Sequence, residues 1–333
     1  ELLGQSLSKI CKTTYSKKSF NNKYGVPVSL FNIERRDNFG VFEIGMDRKG
    51  EINQLSKIVK PNIGVITNIS YAHSKNFNSL FDIAKAKSEI IDNIIENGSI
   101  VLNADDKFYN YFKSKAQNRN LKIISFSRKK KSNIQLSKIK SFKNKSIIKI
   151  NINGRSKNFI IKRNLEFYLE NILASIAVIF NYLDLDNINE KFFFNYNLPQ
   201  GRGDHKYIKI KKKKIHLIDE SYNSNPLSLK FALNNFSKLN SQSKRKIILL
   251  GDMLELGKFS KKLHLEAAKI VNNTNINRVY VFGKKIIPTF NKIRPQKRGK
   301  ILYSSKDVSN FLKNDVKDGE YLMVKGSNST GLN

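Results

Sequence analysis

Cysteine occurs once in the 333 residues, at Cys11, and tryptophan does not occur at all. A lone thiol excludes an internal disulfide and suits a reducing compartment, so a cytoplasmic location is expected. No apolar run approaches the roughly eighteen residues of a membrane helix, and no secretory leader is visible, so membrane insertion is not expected. Acids are scarce: 27 Asp plus Glu stand against 61 Lys plus Arg, a net charge of +34. Such a field attracts phosphates, nucleic acids and anionic membranes. The lysines are dispersed, however, and lack the aromatic interleaving of single-strand binders. The excess is therefore read as compositional, and no nucleic-acid partner is expected.

What is present suffices for a folded protein. Apolar residues make up 40% and aromatics 11%, which supports a sizeable core and argues against disorder. The length suits about two domains. The chain begins at Glu1 without Met, and "ELLGQSLSKI" already reads as helix, so a natural start is expected upstream.

Strands and helices alternate through the first part. "FGVFEIG" (39–45) reads as a strand ending near Glu43, "EINQLSKIV" as a helix bounded by Pro61, and "IGVITN" as the next strand. Ser79 is expected to cap a helix running towards Asn97, followed by strand "SIVLNADD", helix "FYNYFKSKA" and strand "LKIISF". Short apolar runs separated by helices predict a mostly parallel α/β sheet. From about Asn133 the pattern alternates, with turn signals at Asn144 and Asn153–Gly154, which predicts a small antiparallel meander with one wet face. "NLPQGRGD" (197–204) reads as a hinge. A second α/β series follows: strands "KIHLID", "RKIILLGDM", "RVYVFG" and "EYLMVKGS", with helices at 226–239, "KKLHLEAAKIV" and "KDVSNFL". The expected domains are 1–198 and 199–333. The lysine runs at 128–131 and 209–215 are read as solvated edges or turns.

Several strand ends carry chemistry-bearing side chains. Glu43 is either an Mg2+ ligand, as in phosphate-transferring α/β proteins, or an ordinary strand-end acid. His73 follows a strand's carboxyl end, where open α/β sheets place ligands, and is either a metal ligand or a helix-cap histidine. Lys85 and Lys87 point about 200 degrees apart around their helix, so at most one faces a site. Asp219 is either a ribose-binding acid or part of an Asn/Pro turn. Arg202 lies in the hinge and either reaches a phosphate or is merely exposed. Lys325, ahead of Gly326 and Ser327, suits an anionic substrate or snorkels from a turn.

The joint order of these motifs is more specific than any one of them. "NNKYGVPVSL", "FEIGMDRKGEI", "KPNIGVITNISYAHSKNFNS", "IAKAKSEI", "VLNADD", "ENILASIAV", "GRGDH", "IDESYNSNP", "LLGDMLELG" with the later His264, and "LMVKGSNS" resemble, almost end to end, the Mur ligases. "GDMLELG" and "SYNSNP" resemble the dipeptide-adding branch. The resemblance implies a central ATPase domain with a P-loop-type sheet, then a Rossmann-like C-terminal domain. The family's N-terminal domain and phosphate-binding loop are expected before Glu1, and the chain as given is expected to turn over little.

The reaction implied is ATP-dependent amide formation between UDP-N-acetylmuramoyl-tripeptide and D-alanyl-D-alanine through an acyl phosphate, by a monomer. Two Mg2+ ions are implied, with Glu43, His73 and Lys87 as their site and Lys87 carbamylated by CO2. Asn68, Asn171, Arg202, Asp219, Asn223 and Asn225 match ATP-contacting positions, Asn171 towards adenine, Arg202 towards phosphate and Asp219 towards ribose. Lys325 and Ser327 match contacts to the peptide substrate. Glu220 stands where that branch usually carries a second Asp. The competing readings are a sibling amide ligase, including a folate-glutamate ligase, a basic nucleic-acid binder, and a non-catalytic nucleotide-binding remnant.

Overall fold

The computed structural model describes residues 1–17, 19–72, 74–184, 188–239 and 244–332. They form two compact units: 1–69 with 77–197, and 70–76 with 198–333.

In the first unit, short runs rich in Ile and Val become strands where turn residues bound them. β1 (Thr13–Tyr15) and β2 (Phe39–Val41) pair in parallel as a two-stranded sheet. The strand expected to reach Gly45 stops at Val41, because the backbone beyond it bonds elsewhere: Gly45 donates its N–H to the Asn21 carbonyl at 2.7 Å. β3 (Ile63–Ile66), β4 (Ser99–Asn103), β5 (Lys122–Ser127), β6 (Ile134–Ser141), β7 (Lys145–Ile152) and β8 (Arg155–Lys162) form one six-stranded sheet in that order. β3 to β6 are parallel and β6 to β8 antiparallel. The meander is thus the continuation of the parallel sheet rather than a separate one. Its wet face is visible in β7, where Ser146, Ile148, Ile150 and Ile152 are buried while Lys145 and Lys149 are exposed. Asn153 (φ 48°) and Gly154 (φ 92°) both take left-handed backbone, as the two-residue hairpin between β7 and β8 requires.

The helices of this unit are α1 (Leu2–Leu7), α2 (Gly25–Phe31), α3 (Glu51–Val59), α4 (Leu80–Lys87), α5 (Tyr109–Gln117) and α6 (Leu169–Ile179). α4 is shorter than expected. At Ser88 the chain tightens into a 3-10 stretch, Ser88–Asn93. The Ser88 hydroxyl bonds back to the Lys85 carbonyl at 2.7 Å, and Lys115 Nζ takes the Ser88 carbonyl at 3.1 Å, so the next helical bond is not made. Ile83, Ile91, Ile94, Ile100, Leu102 and Phe112 form the core on one side of the sheet. α6, buried from Ile172 to Ile179, packs on β4 and β5. β4 is buried along its whole length, as a parallel strand covered on both faces should be.

The second unit adds β9 (Asp204–Ile210), β10 (Lys213–Asp219), β11 (Lys246–Gly251), β12 (Arg278–Phe282), β13 (Arg298–Leu302) and β14 (Tyr321–Lys325). Their order is β13-β12-β11-β14-β10-β9, parallel except for edge strand β9. The lysine run at 209–215 is the tip of the β9–β10 hairpin. β9, β13 and helix α9 were not read from sequence. The helices are α7 (Pro226–Lys238), α8 (Ser260–Asn272), α9 (Ile287–Lys292) and α10 (Ser305–Asn310). β11 serves two cores: Ile248 and Leu250 join Leu233, Phe236 and Val271 on one face, while Ile247 and Leu249 join Leu302, Phe311 and Leu322 on the other. Each such side chain contributes about 1.5–3 kcal/mol on burial. Ser70–Asn76, counted with this unit, brings Tyr71 against Phe259 with ring centroids 4.9 Å apart. Because β14 lies between β11 and β10, the carboxyl ends of these three parallel strands are neighbours, which is where open α/β sheets bind ligands.

Candidate active site

The first cluster is built from loops after β2, β3 and β4 and from the end of α4. Glu43 is exposed; its Oε1 accepts from Asn21 Nδ2 at 2.8 Å, and its N–H donates to Ser16 Oγ at 3.2 Å. Lys87 sits in the last turn of α4, with Nζ 3.5 Å from the Asn68 carbonyl. Burial pushes the Lys87 amine below its ordinary value, against the opposing pull of the Asp106 and Glu43 carboxylates. Lys85, by contrast, is exposed and lies over the Phe81 ring. Glu43, Asn68 and Lys87 therefore share one neighbourhood. His73 lies outside the described residues. Asn171 is exposed on α6, where its carbonyl accepts from Ser175 Oγ at 2.9 Å.

Two residues of this cluster were passed over in the sequence. Asp106 accepts the Ile69 N–H at 2.8 Å and the Phe108 N–H at 2.8 Å, fixing the β3 loop against the β4 loop beside Lys87. Glu89 accepts from the Gly50 N–H at 2.8 Å and the Asn53 N–H at 3.0 Å, capping α3, the helix that follows the Glu43 loop. Their signals were the second acid of "VLNADD" and the acid closing "AKAKSE".

The donor chemistry suits a hard cation shared with phosphate. Glu43 offers an exposed carboxylate, and the site's anionic character is what offsets the burial of Lys87. Mg2+ is commonly held by one or two carboxylates plus substrate phosphates, so a full protein cage is not required. Among the described residues no group of three His, Cys, Asp or Glu is gathered for a metal.

The second cluster occupies the neighbouring strand ends of the other unit. Asp219 ends β10 and accepts from the Ser221 hydroxyl at 2.5 Å and the Ser221 N–H at 3.1 Å. The Arg202 guanidinium stacks 4.4 Å from the Tyr222 ring centroid. Lys325 does not snorkel: it is 1% exposed, donating to the Asn223 carbonyl at 3.0 Å and facing Glu220 at 3.5 Å. Burial lowers the Lys325 amine while Glu220 holds it up, and burial raises Glu220 while Lys325 holds it down. Ser327 Oγ accepts from the Leu254 N–H at 2.9 Å and donates to the Ser224 carbonyl at 3.3 Å. Asn223 is exposed, whereas Asn225 caps α7, taking the Ser228 N–H at 2.9 Å. Gly251 and Gly326 let the ends of β11 and β14 approach: a Cβ on Gly251 would lie 3.1 Å from the Gly326 Cα.

Acids and amines gathered at the carboxyl ends of parallel strands are what an enzyme working on phosphate groups needs. The kinship agrees, and the chain belongs to the Mur ligase family: the Mur ligase middle domain profile matches residues 1–179, and that of the Mur ligase, glutamate ligase domain, matches 207–328. It is 30% identical over 319 residues to the UDP-N-acetylmuramoyl-tripeptide–D-alanyl-D-alanine ligase of Rickettsia prowazekii, covering 95% of this chain and 70% of that protein. The ligase of the same name from Buchnera aphidicola is 30% identical over 353 residues, covering 100% and 71%. The fold matches MurF of Acinetobacter baumannii with a TM-score of 0.86 at 23% identity, over 99% of this chain and 70% of that one. It also matches the MurF ligase of Thermotoga maritima in complex with ADP, with a TM-score of 0.83 at 22% identity, over 100% and 74%.

Proposed function

We propose that this protein joins D-alanyl-D-alanine to UDP-N-acetylmuramoyl-tripeptide at the expense of ATP, a step of peptidoglycan precursor synthesis. The observation that carries the reading is kinship along nearly the whole chain, 95% of it at 30% identity, to a ligase named for that reaction. The tripeptide carboxylate attacks the γ-phosphorus of ATP, ADP leaves, and an acyl phosphate forms. The dipeptide's neutral amine then attacks the acyl carbon, phosphate leaves, and the amine gives up a proton. Residues 1–198 carry the proposed metal site and part of the nucleotide site, while residues 199–333 supply the remaining nucleotide contacts and serve the peptide chemistry.

Glu43, His73 and Lys87 would hold Mg2+, which when bound neutralises charge on the transferring phosphoryl group. Lys87 is suited to carbamylation because its burial favours the neutral amine, the form that adds to CO2 with loss of a proton. Asn68, Asn171, Arg202, Asp219, Asn223 and Asn225 contact ATP, and Lys325 and Ser327 act on the peptide substrate. The enzyme works as a monomer in the cytoplasm.

The test is phosphate release from the complete gene product with ATP and Mg2+. Release should require both UDP-N-acetylmuramoyl-tripeptide and D-alanyl-D-alanine. Equal release with a single amino acid in place of the dipeptide would move the protein to a sibling ligase.

A further inference from the structure

"GDMLELG" and the histidine after it are not used by the chemistry above, yet they meet in the fold. His264, on α8, is 0% exposed. Its Nδ1 lies 2.8 Å from the Ser260 carbonyl, which can only accept, so Nδ1 carries the proton. Its Nε2 accepts the Met253 N–H at 3.1 Å, so Nε2 carries none. One neutral tautomer is thereby fixed on both sides.

The loop it grips runs on to the β14 end. The Asp252 carbonyl accepts the Ser327 N–H at 3.0 Å, and the Leu254 N–H donates to Ser327 Oγ at 2.9 Å. Ser327 in turn donates to the Ser224 carbonyl, next to the Asn223 carbonyl that holds Lys325. Two anchors hold the frame: Asp252 Oδ1 takes the Ile286 N–H at 2.8 Å, and Thr289 donates to the His264 carbonyl at 2.6 Å.

We propose that His264 is a positioning residue: its unprotonated Nε2 sets the Asp252–Leu254 loop and, through that loop, Ser327 and the strand end where the peptide substrate is handled. The part concerning substrate rests on the function proposed above; the part concerning Ser327 does not. Asp252 and Lys285 are the charged groups that act on the imidazole, in opposite senses. Protonating Nε2 would turn an N–H against the Met253 N–H and release the loop.

The test is residue-resolved amide exchange on the full chain, comparing wild type with His264→Leu and His264→Gln. Leu keeps bulk but no acceptor, while Gln places an amide oxygen near Nε2. Protection of Met253, Leu254 and Ser327 should fall together at least tenfold in His264→Leu, with Ile248 and Leu249 unchanged, and should return in large part in His264→Gln. In the wild type the same three amides should lose protection together as pH falls below the ordinary histidine range. Loss at Met253 with Ser327 unmoved would overturn the proposal, in the variants or in the titration. Titrating UDP-N-acetylmuramoyl-tripeptide into the same samples separates the two readings. The same titration run on the complete gene product decides the function: a wild-type gene product that fails to bind sinks the proposed function, while coupled exchange upholds the positioning role.

Discussion

Lys87 carries a conflict that its chemistry can use. An amine buried among carboxylates is held between two tendencies: desolvation favours the neutral form, and Asp106 and Glu43 favour the charged one. Addition of CO2 would exchange the amine for an anion able to share Mg2+ with Glu43. Intact mass in bicarbonate should show one acid-labile addition of the mass of CO2, absent from Lys87→Arg. Ligation by that variant should drop roughly 10²-fold or more, the scale of losing one charge-stabilising group at a transferring centre. Lys325 makes the opposite case. Lys325→Met leaves Glu220 without its partner in a largely buried place, which costs about 3–5 kcal/mol. Glu220 is already raised by burial, so it can escape by taking a proton. Denaturant unfolding should therefore find the variant less destabilised at pH 5 than at pH 8, and Glu220→Gln added to it should recover stability at the higher pH.

At the scale of elements, Asn225 is both a proposed ATP contact and the cap of α7, in a reciprocal pair with Ser228. The two roles separate by substitution. Asn225→Ala should lower stability by about 1 kcal/mol in thermal unfolding, whereas Asn225→Asp keeps the cap. If KM for ATP rises in both variants, Asn225 touches nucleotide; if it changes in neither, the residue is a cap alone. Most elements were legible because their patterns are strong: the β4 run, the alternating β7, the turn at Asn153–Gly154. Those missed were short or carried misleading composition. β9 is an edge strand in which Lys206 and Lys209 bracket Tyr207 and Ile208, without the strict alternation of a half-buried strand, so it reads as loop until β10 supplies its partner. α4 was overextended because nothing local announces that Lys115, 27 residues away, will claim the Ser88 carbonyl. The same limit held in the sites. Strand-end residues could be named one by one, but the support given by Glu89, Asp106 and His264 depends on loops that only the fold brings together.

For the molecule as a whole, two bulk properties give separate outcomes. His216 and His264 are both held below the ordinary histidine value, by burial first in each case. The unfolded chain therefore binds protons that the folded one refuses. Stability should be complete above about pH 6.5 and decline as pH falls below it, towards the lowered folded values. His264 should dominate, so the slope seen in unfolding titrations should flatten in His264→Gln. The charge of +34 makes the second outcome. Single-stranded oligonucleotides should bind only weakly, without sequence preference and without competing with ATP. The binding should largely vanish between roughly 50 and 200 mM salt, since counterion release is its only source.

The short excursion of Ser70–Asn76 bears on how the gene can be cut. Tyr71 rests on Phe259, Ser74 Oγ bonds the Leu256 carbonyl at 3.4 Å, and Gly257 turns so close to Lys75 that a Cβ would lie 2.8 Å from its Cα. A plasmid encoding only codons 198–333 would leave those partners bare, and one encoding 1–197 would carry Tyr71, Ser74 and Lys75 without them. A cut at residue 197 therefore parts the 70–76 peptide from its partners, and module swaps between relatives should give more stable chimaeras in thermal unfolding when that peptide is grafted along with the carboxyl-terminal portion.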